Sequence, residues 1–385
     1  MHAPQRPRRE WPDLRISAVD TIPLHVPMRN VMRTSQGSWP FVEVLIVRLR
    51  TDAGIDGIGE TQAWRRLGSA ETFPNLIHNI QHFFAPHIVG RSPFDIAAIM
   101  SDLDGVLDHA YYSKAPISDA LYDLQGKALG CPVYELLGGR CRDVIELCAP
   151  IGLQDDRGEL LRRATEKHES GFRSFLLKIG VDPRSDYENV KALREHLGPH
   201  IKIRVDANGC MSFDGALALL KRLEPFEIES AEQPLPPWDL DGMAALAARL
   251  NMPIMADESV GDVHDLINII RRRAASVIQT KQSKNGGLWN VRNVWTIAAA
   301  AGMQIYPGNH ACTSVNSAAT AHLATAWPGP ALVDGPFAMG ATGDLEVDVV
   351  VNPLVVTGGT LTLDDAPGLG VTLDEDAVAR LRVEP

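Results

Sequence analysis

The sequence predicts an α/β protein: a parallel TIM-type (β/α) barrel with an α+β unit in front of it. Three observations carry this. Short β-branched runs alternate with longer helical patterns from residue 144 onward. Their starts recur every ~25 residues, the length of one βα unit. The first run is followed by "APIGLQDD", without the Gly-rich phosphate turn that an open doubly wound sheet would carry there.

The elements follow in order. Residues 1–13 are rich in Arg and Pro with no apolar stretch behind them, so they read as a flexible leader rather than a signal peptide. Residues 14–140 form the α+β unit. "ISAVDTIPLHVP" and "FVEVLIVRLRTDAGIDGIGE" alternate like antiparallel strands, and helical patterns follow up to "ISDALYDLQGKALGCPVYELLGG" (117–139). Strand candidates of the barrel, within 141–340, lie at 144–152, 174–180, 201–209, 226–234, 252–259, 276–283, 302–310 and 331–335, with helices such as 157–170 and 187–198 between them. The tail, 341–385, has short strand-like pieces and is expected to pack back on the N-terminal unit.

Composition narrows the function. The chain has 385 residues, 45% hydrophobic, which is ample for a large core. A net charge of -11 argues against a nucleic-acid partner. No apolar run approaches the length of a membrane span. The five cysteines, scattered without a C-x-x-C pair, read as reduced thiols of a cytoplasmic protein.

In a parallel barrel the chemistry sits where the strands end. Those ends read Lys178, Asp206 with Asn208, Glu232, Asp257 with Glu258, Lys281, His310 and Asp334. Asp206, Glu232 and Asp257 are separated by 26 and 25 residues, so consecutive strands aim three carboxylates at one spot. Three anions so close need a cation, and all-oxygen ligation suits Mg2+ or Mn2+. Lys178 and Lys281 fall on opposite sides of this trio. Burial and a divalent cation would favour their neutral amines and fit them to carry protons. Lys284 reads instead as a snorkelling side chain with its stem over apolar surface.

These residues carry a resemblance. "LKIG" at Lys178, "VDANG" at Asp206, "EQP" at Glu232, "ADES" at Asp257 and "KQSKNGG" from Lys281 together resemble the enolase superfamily, in its muconate lactonizing enzyme subgroup. The resemblance implies a modified (β/α)7β barrel with an N-terminal α+β capping domain, and one Mg2+ or Mn2+ on Asp206, Glu232 and Asp257. It also implies removal of the proton α to a carboxylate, giving an enediolate. The substrate is then a small-molecule carboxylate and the assembly a homo-oligomer, dimer or octamer.

The sequence departs from the subgroup at two places. The Lys-x-Lys of the second barrel strand has Leu176 in its first position. The eighth strand offers only Asp334 where dipeptide epimerases of the subgroup carry Asp-x-Asp. The first functional reading is an isomerase of the muconate cycloisomerase type. A racemase or epimerase of an amino-acid derivative uses the same two lysines. A dehydratase of a hydroxy acid is the third reading, which a proton-transfer role for His310 would favour, and a metal-binding pseudoenzyme is the reading outside catalysis. Asn208 and Glu258 are expected to support the ligands rather than bind metal. In loops 27–37 and 61–71, Arg29, Arg33, Arg65 and Arg66 are the candidates to meet a second carboxylate of the substrate, and Met32 and Trp64 to shield the site from water.

Overall fold

The computed structural model describes residues 12–34, 37–63, 71–154, 156–329 and 345–384, with backbone only at 30–32 and 34. Strands β1 (Ile16–Thr34), β2 (Gly37–Thr51) and β3 (Gly57–Gln62) form an antiparallel sheet in that order. Helices α1 (Ile96–Val106) and α2 (Tyr111–Leu129) follow a helical stretch that runs from Phe73 to Ile88. Every residue of β3 is buried, because α2 lies against one face and Ser283, Thr313 and Asn316 meet Gln62 and Glu60 on the other. Gly59 permits this approach: a Cβ there would sit 2.0 Å from the Pro116 carbonyl oxygen of α2.

Residues 144–152 do not form one strand. They split at Leu147 into β4 (Ile145–Glu146) and β5 (Cys148–Ile151). The reason is a competing partner. Strands β12 (Val356–Thr357) and β13 (Thr360–Leu361) make a C-terminal hairpin, β13 pairs antiparallel with β4, and the Leu147 N–H donates to the Gly359 carbonyl at 3.0 Å. Only β5 enters the parallel sheet.

That sheet holds β5, β6 (Ser174–Lys178), β7 (Lys202–Asp206), β8 (Ser230–Glu232), β9 (Ile254–Ala256), β10 (Val277–Lys281) and β11 (Gln304–Gly308), hydrogen-bonded in chain order. The helices between them are α3 (Arg157–Glu169), α4 (Pro183–Leu197), α5 (Phe213–Leu223), α6 (Leu240–Ala247), α7 (Val263–Arg272) and α8 (Gly287–Ala300), and α9 (Ser314–Ala326) follows β11. Asp156, Asp182, Ser212, Asp239, Asp262 and Thr313 cap six of these helices, each accepting a backbone N–H of the first turn. The predicted strand at 331–335 lies outside the described residues, and Asp334 with it. Strand β8 is shorter than its apolar run because Glu227 and Gln233, with φ of 50° and 34°, turn the chain left-handed on either side.

Segment 345–384, with α10 (Glu375–Leu381), bridges to the N-terminal sheet at Met28 and Leu24 and pairs Glu375 with Arg48. All five cysteines are free. No helix among the described residues is long and apolar enough to cross a membrane.

One contact between α2 and α8 makes a testable pH device. Asp119 is fully buried and accepts the Leu288 N–H at 2.8 Å, which satisfies a free amide at the start of α8. Burial pushes its carboxyl up to about 8, with the Leu288 amide opposing and Glu60 assisting. A raised folded-state pKa contributes stability that is complete below the usual value of 3.8 and is lost as pH rises through about 8. Asp119→Asn is therefore expected to gain stability relative to the wild type between pH 5 and pH 8, measured by urea unfolding at each pH.

Candidate active site

The C-terminal ends of the parallel strands bring the five principal residues together. Cross-strand register pairs Lys178 with Asp206, and Asp206 with Glu232. Asp257 follows β9, and Lys281 ends β10. Asp206, Glu232 and Asp257 are at most 1% exposed. The Lys178 Nζ donates to Asp206 Oδ2, and the Lys281 Nζ to Asp257 Oδ2. Glu232 acts electrostatically on both lysines, as expected of a carboxylate between them.

In this arrangement the neighbouring carboxylates raise both lysine pKa values against the effect of burial. Burial disfavours the ammonium of Lys178, but Asp206 and then Glu232 outweigh it, and the pKa rises. Burial likewise opposes Lys281, and Asp257, Glu232 and Glu258 overcome it. Proximity to three carboxylates wins over desolvation. Asp257 shows the same balance from the other side. Burial raises its pKa, but Lys281 and Lys284 bring it well below the usual range.

Neighbouring residues fix the carboxylates. Asn208, at a left-handed φ of 47°, donates its N–H to Asp206 Oδ1 at 2.7 Å and its side-chain amide to Glu258 Oε1 at 3.1 Å. Burial, then Asp257 and Asp206, push Glu258 up to about 7. Gln233, missed in the sequence although it sits inside "EQP", ties two strands together. Its Oε1 accepts the N–H of Asp257 at 3.0 Å and of Ser259 at 3.1 Å. Asn285 accepts the Lys281 N–H at 2.8 Å and donates to the carbonyls of Val260 and Gly261. The Gly-Gly after it is required: Gly286 and Gly287 have φ of 79° and 81°, and a Cβ on Gly287 would lie 2.5 Å from Ser118 Cβ of α2.

Lys284 is not a snorkelling surface residue. It is 3% exposed, and its Nζ donates to the carbonyls of Asp257, Val260 (2.9 Å) and Gln279 (3.3 Å) and pairs with Asp257 Oδ1 at 3.0 Å. Burial lowers its pKa, Asp257 opposes and Lys281 assists. A cation suits this position because three carbonyls and a carboxylate converge on it. Lys284→Met is expected to lower stability by about 3 kcal/mol, the cost of breaking a buried pair, with urea unfolding as the check.

The remaining candidates divide. His310 is buried, and its ring stacks on Tyr112 of α2 with centroids 5.7 Å apart. Burial and then Lys281 hold the imidazole well below its usual pKa. Tyr112 brings the N-terminal unit to the barrel mouth, and its sequence position gave no sign of this. Arg33 is exposed, with its carbonyl accepting the Leu153 N–H at 3.0 Å, so β1 ends over β5. Trp64, Arg65 and Arg66 lie outside the described residues, as does the side chain of Met32. Leu176 is buried in the sheet opposite Arg204 of β7. That guanidinium, fully buried, stands 4.6 Å from the Tyr306 ring and 3.7 Å from Glu229, so a positive charge is present in this layer on the neighbouring strand.

The carboxylates can be tested against a divalent cation. Among the described residues no three Asp, Glu, His or Cys side chains already stand in ligand geometry around one point. The lysine ammonium groups lie on Asp206 and Asp257 instead. The donor chemistry fits nonetheless: three buried carboxylates on consecutive strand ends are an all-oxygen set of the kind hard cations take. The lysines show where positive charge is stabilised.

Comparison with known proteins agrees with this geometry. Residues 16–138 match the mandelate racemase / muconate lactonizing enzyme N-terminal domain, and residues 159–377 match the enolase C-terminal domain-like family. Muconate cycloisomerase 1 of Rhodococcus opacus is 33% identical over 95% of this chain and 98% of its own length. The N-succinyl-L-Arg/Lys racemase of Bacillus cereus is 29% identical over 96% of this chain and 98% of its own. Among solved structures, the muconate lactonizing enzyme of Pseudomonas fluorescens with muconolactone superposes with a TM-score of 0.92 at 32% identity, covering 96% of this chain and 99% of that one. The dipeptide epimerase of Enterococcus faecalis, solved with Mg and a dipeptide, gives 0.87 at 29% identity, covering 93% and 99%. The paired lysines, the strand-end carboxylates and two family matches spanning most of the chain lead to one conclusion: this chain belongs to the mandelate racemase / muconate lactonizing enzyme family of the enolase superfamily, in its muconate lactonizing enzyme subgroup.

Proposed function

We propose that this isomerase moves the proton α to a substrate carboxylate. Lys178 and Lys281 are the two proton carriers, and Asp206, Glu232 and Asp257 hold a divalent cation, Mg2+ or Mn2+. The observation that supports this most is that β6 and β10 end in lysines whose ammonium groups meet carboxylates from the strands between them. The cation supplies positive charge for the enediolate that forms as the α-proton leaves.

The chain's own residues account for the rest. Asn208 and Gln233 hold Asp206 and the Asp257 backbone in place. Where the carboxylate charge is shared with a cation, burial becomes the dominant influence on each lysine and favours the neutral amine. One lysine then accepts the α-proton, and the other, still protonated, delivers one on the opposite side.

In cycloisomerisation of the muconate type a lysine protonates the carbon of the enolate formed as the lactone closes. In racemisation or epimerisation each lysine serves one face of the α-carbon. Dehydration is disfavoured: burial and Lys281 keep the His310 imidazole neutral, leaving a poor acid.

The same reading places the eighth strand at 331–335, closing a (β/α)7β barrel over 141–340, with 14–140 as a capping domain whose Arg33 and Trp64 face the substrate. It also takes the enzyme to be a cytoplasmic homo-oligomer. The test is proton NMR in D2O with Mg2+ on muconate and its lactones, N-acylated amino acids, dipeptides and acid sugars. The expected result is loss of an α-proton signal in one class, without new products for a racemase and with olefinic or lactone signals for a cycloisomerase. No exchange in any class by metal-loaded protein would contradict the reading.

A further inference from the structure

The helical stretch from Phe73 to Ile88 carries a metal-ligating pair that the strand-end site does not use. Its buried apolar residues are Phe73, Leu76, Ile80, Phe84 and Ile88, and from Leu76 onward they recur every four residues. An α-helix has 3.6 residues per turn, so a strict four-residue repeat would wind off the surface beneath it. The chain takes up the difference in one wider turn. Residues Asn79–Phe84 are π-helical, and the Ala85 N–H donates to the Ile80 carbonyl, five residues back. Gln81 fixes the rotation of the stretch. Its side-chain amide donates to the Val19 carbonyl at 3.1 Å and to Thr21 Oγ1 at 3.0 Å, both on β1.

What keeps the buried repeat in line does the same on the outer face. His78 and His82 are four residues apart and both exposed, with ring centroids 4.5 Å apart and planes at 42°. Phe83, five residues past His78, meets that ring edge to face with centroids 5.5 Å apart, which limits how far the imidazole can swing. Two histidines at this spacing on one helix face are a recurrent chelate for transition metals. Imidazoles that share one metal through bonds of about 2 Å have ring centres roughly 4.5–5 Å apart. The pair stands at that separation.

We propose that His78 and His82 form a second metal site, which takes a divalent transition-metal cation with affinity for imidazole: Cu2+, Ni2+ or Zn2+, with water in the other positions. Its ligand chemistry is the opposite of the strand-end site's. Two ring nitrogens replace three carboxylates, so hard cations such as Mg2+ are poorly served there. The helix backbone supplies the chelate: once one imidazole is bound, the second ligation is intramolecular. This site is independent of the isomerase chemistry.

The test is titration calorimetry of the full chain with Ni2+, in excess Mg2+ so that the hard-cation ligands stay occupied. Affinity for Ni2+ is expected to fall at least about tenfold in His78→Ala and equally in His82→Ala. The double variant should fall no further, because a single imidazole gives no chelate. His87→Ala, which removes another exposed histidine of the same stretch, should leave binding unchanged. All of these side chains are exposed, so circular dichroism should be that of the wild type throughout. Wild-type affinity no higher than that of the double variant would overturn the site. So would additive losses in the two single variants, which mark separate ligands, or an equal loss in His87→Ala.

Discussion

Replacing Lys281 with methionine lowers kcat by about 10²–10⁴-fold, the range expected when a positioned acid or base is removed. Methionine keeps the length and apolar stem while deleting the nitrogen. The fold should survive, because the Lys281 Nζ contact falls on Asp257, which keeps Lys284 at 3.0 Å. Lys178→Met should behave alike, since Asp206 keeps the Asn208 N–H. Steady-state kinetics beside circular dichroism distinguishes a missing proton carrier from a misfolded barrel. Activity within about threefold of the wild type would remove Lys281 from the reaction.

Replacing Glu232 with glutamine abolishes the response to divalent cations. The side chain is nearly isosteric, buried, and in register with Asp206, so the change removes charge with little change of shape. A hard cation loses one anionic ligand of three and its affinity falls steeply. In the wild type Mg2+ should raise the melting temperature, because a ligand that binds only the folded state stabilises it by mass action. In Glu232→Gln the shift should vanish and kcat should fall by at least about 100-fold. An undiminished Mg2+ shift would place the cation elsewhere.

Much of the site was legible because a parallel barrel repeats its chemistry at a fixed interval. Asp206, Glu232 and Asp257 could be aligned from spacing alone, and the structure puts the first two in direct register. What spacing does not encode is what lies behind each residue. Lys284 looked like a surface lysine because a sequence does not show three carbonyls converging on one nitrogen. Tyr112 was invisible because its contact with His310 spans nearly 200 residues of chain and depends on how α2 meets the barrel. The balance at Lys178 and Lys281 was not legible for a related reason: whether neighbouring carboxylates or burial dominates a lysine pKa is a matter of distance. The break at Leu147 belongs here too. Its apolar run reads as one strand until the C-terminal hairpin competes for its first residues.

The central claim is that two lysines serve opposite faces of one α-carbon. The most direct measurement is α-proton exchange in D2O, followed by NMR on each enantiomer of a turned-over substrate separately, with wild type, Lys178→Met and Lys281→Met. The account predicts that the wild type exchanges both enantiomers and that each variant exchanges only one, the two variants retaining opposite ones. Variants that retain the same enantiomer, or that both exchange both, would contradict it.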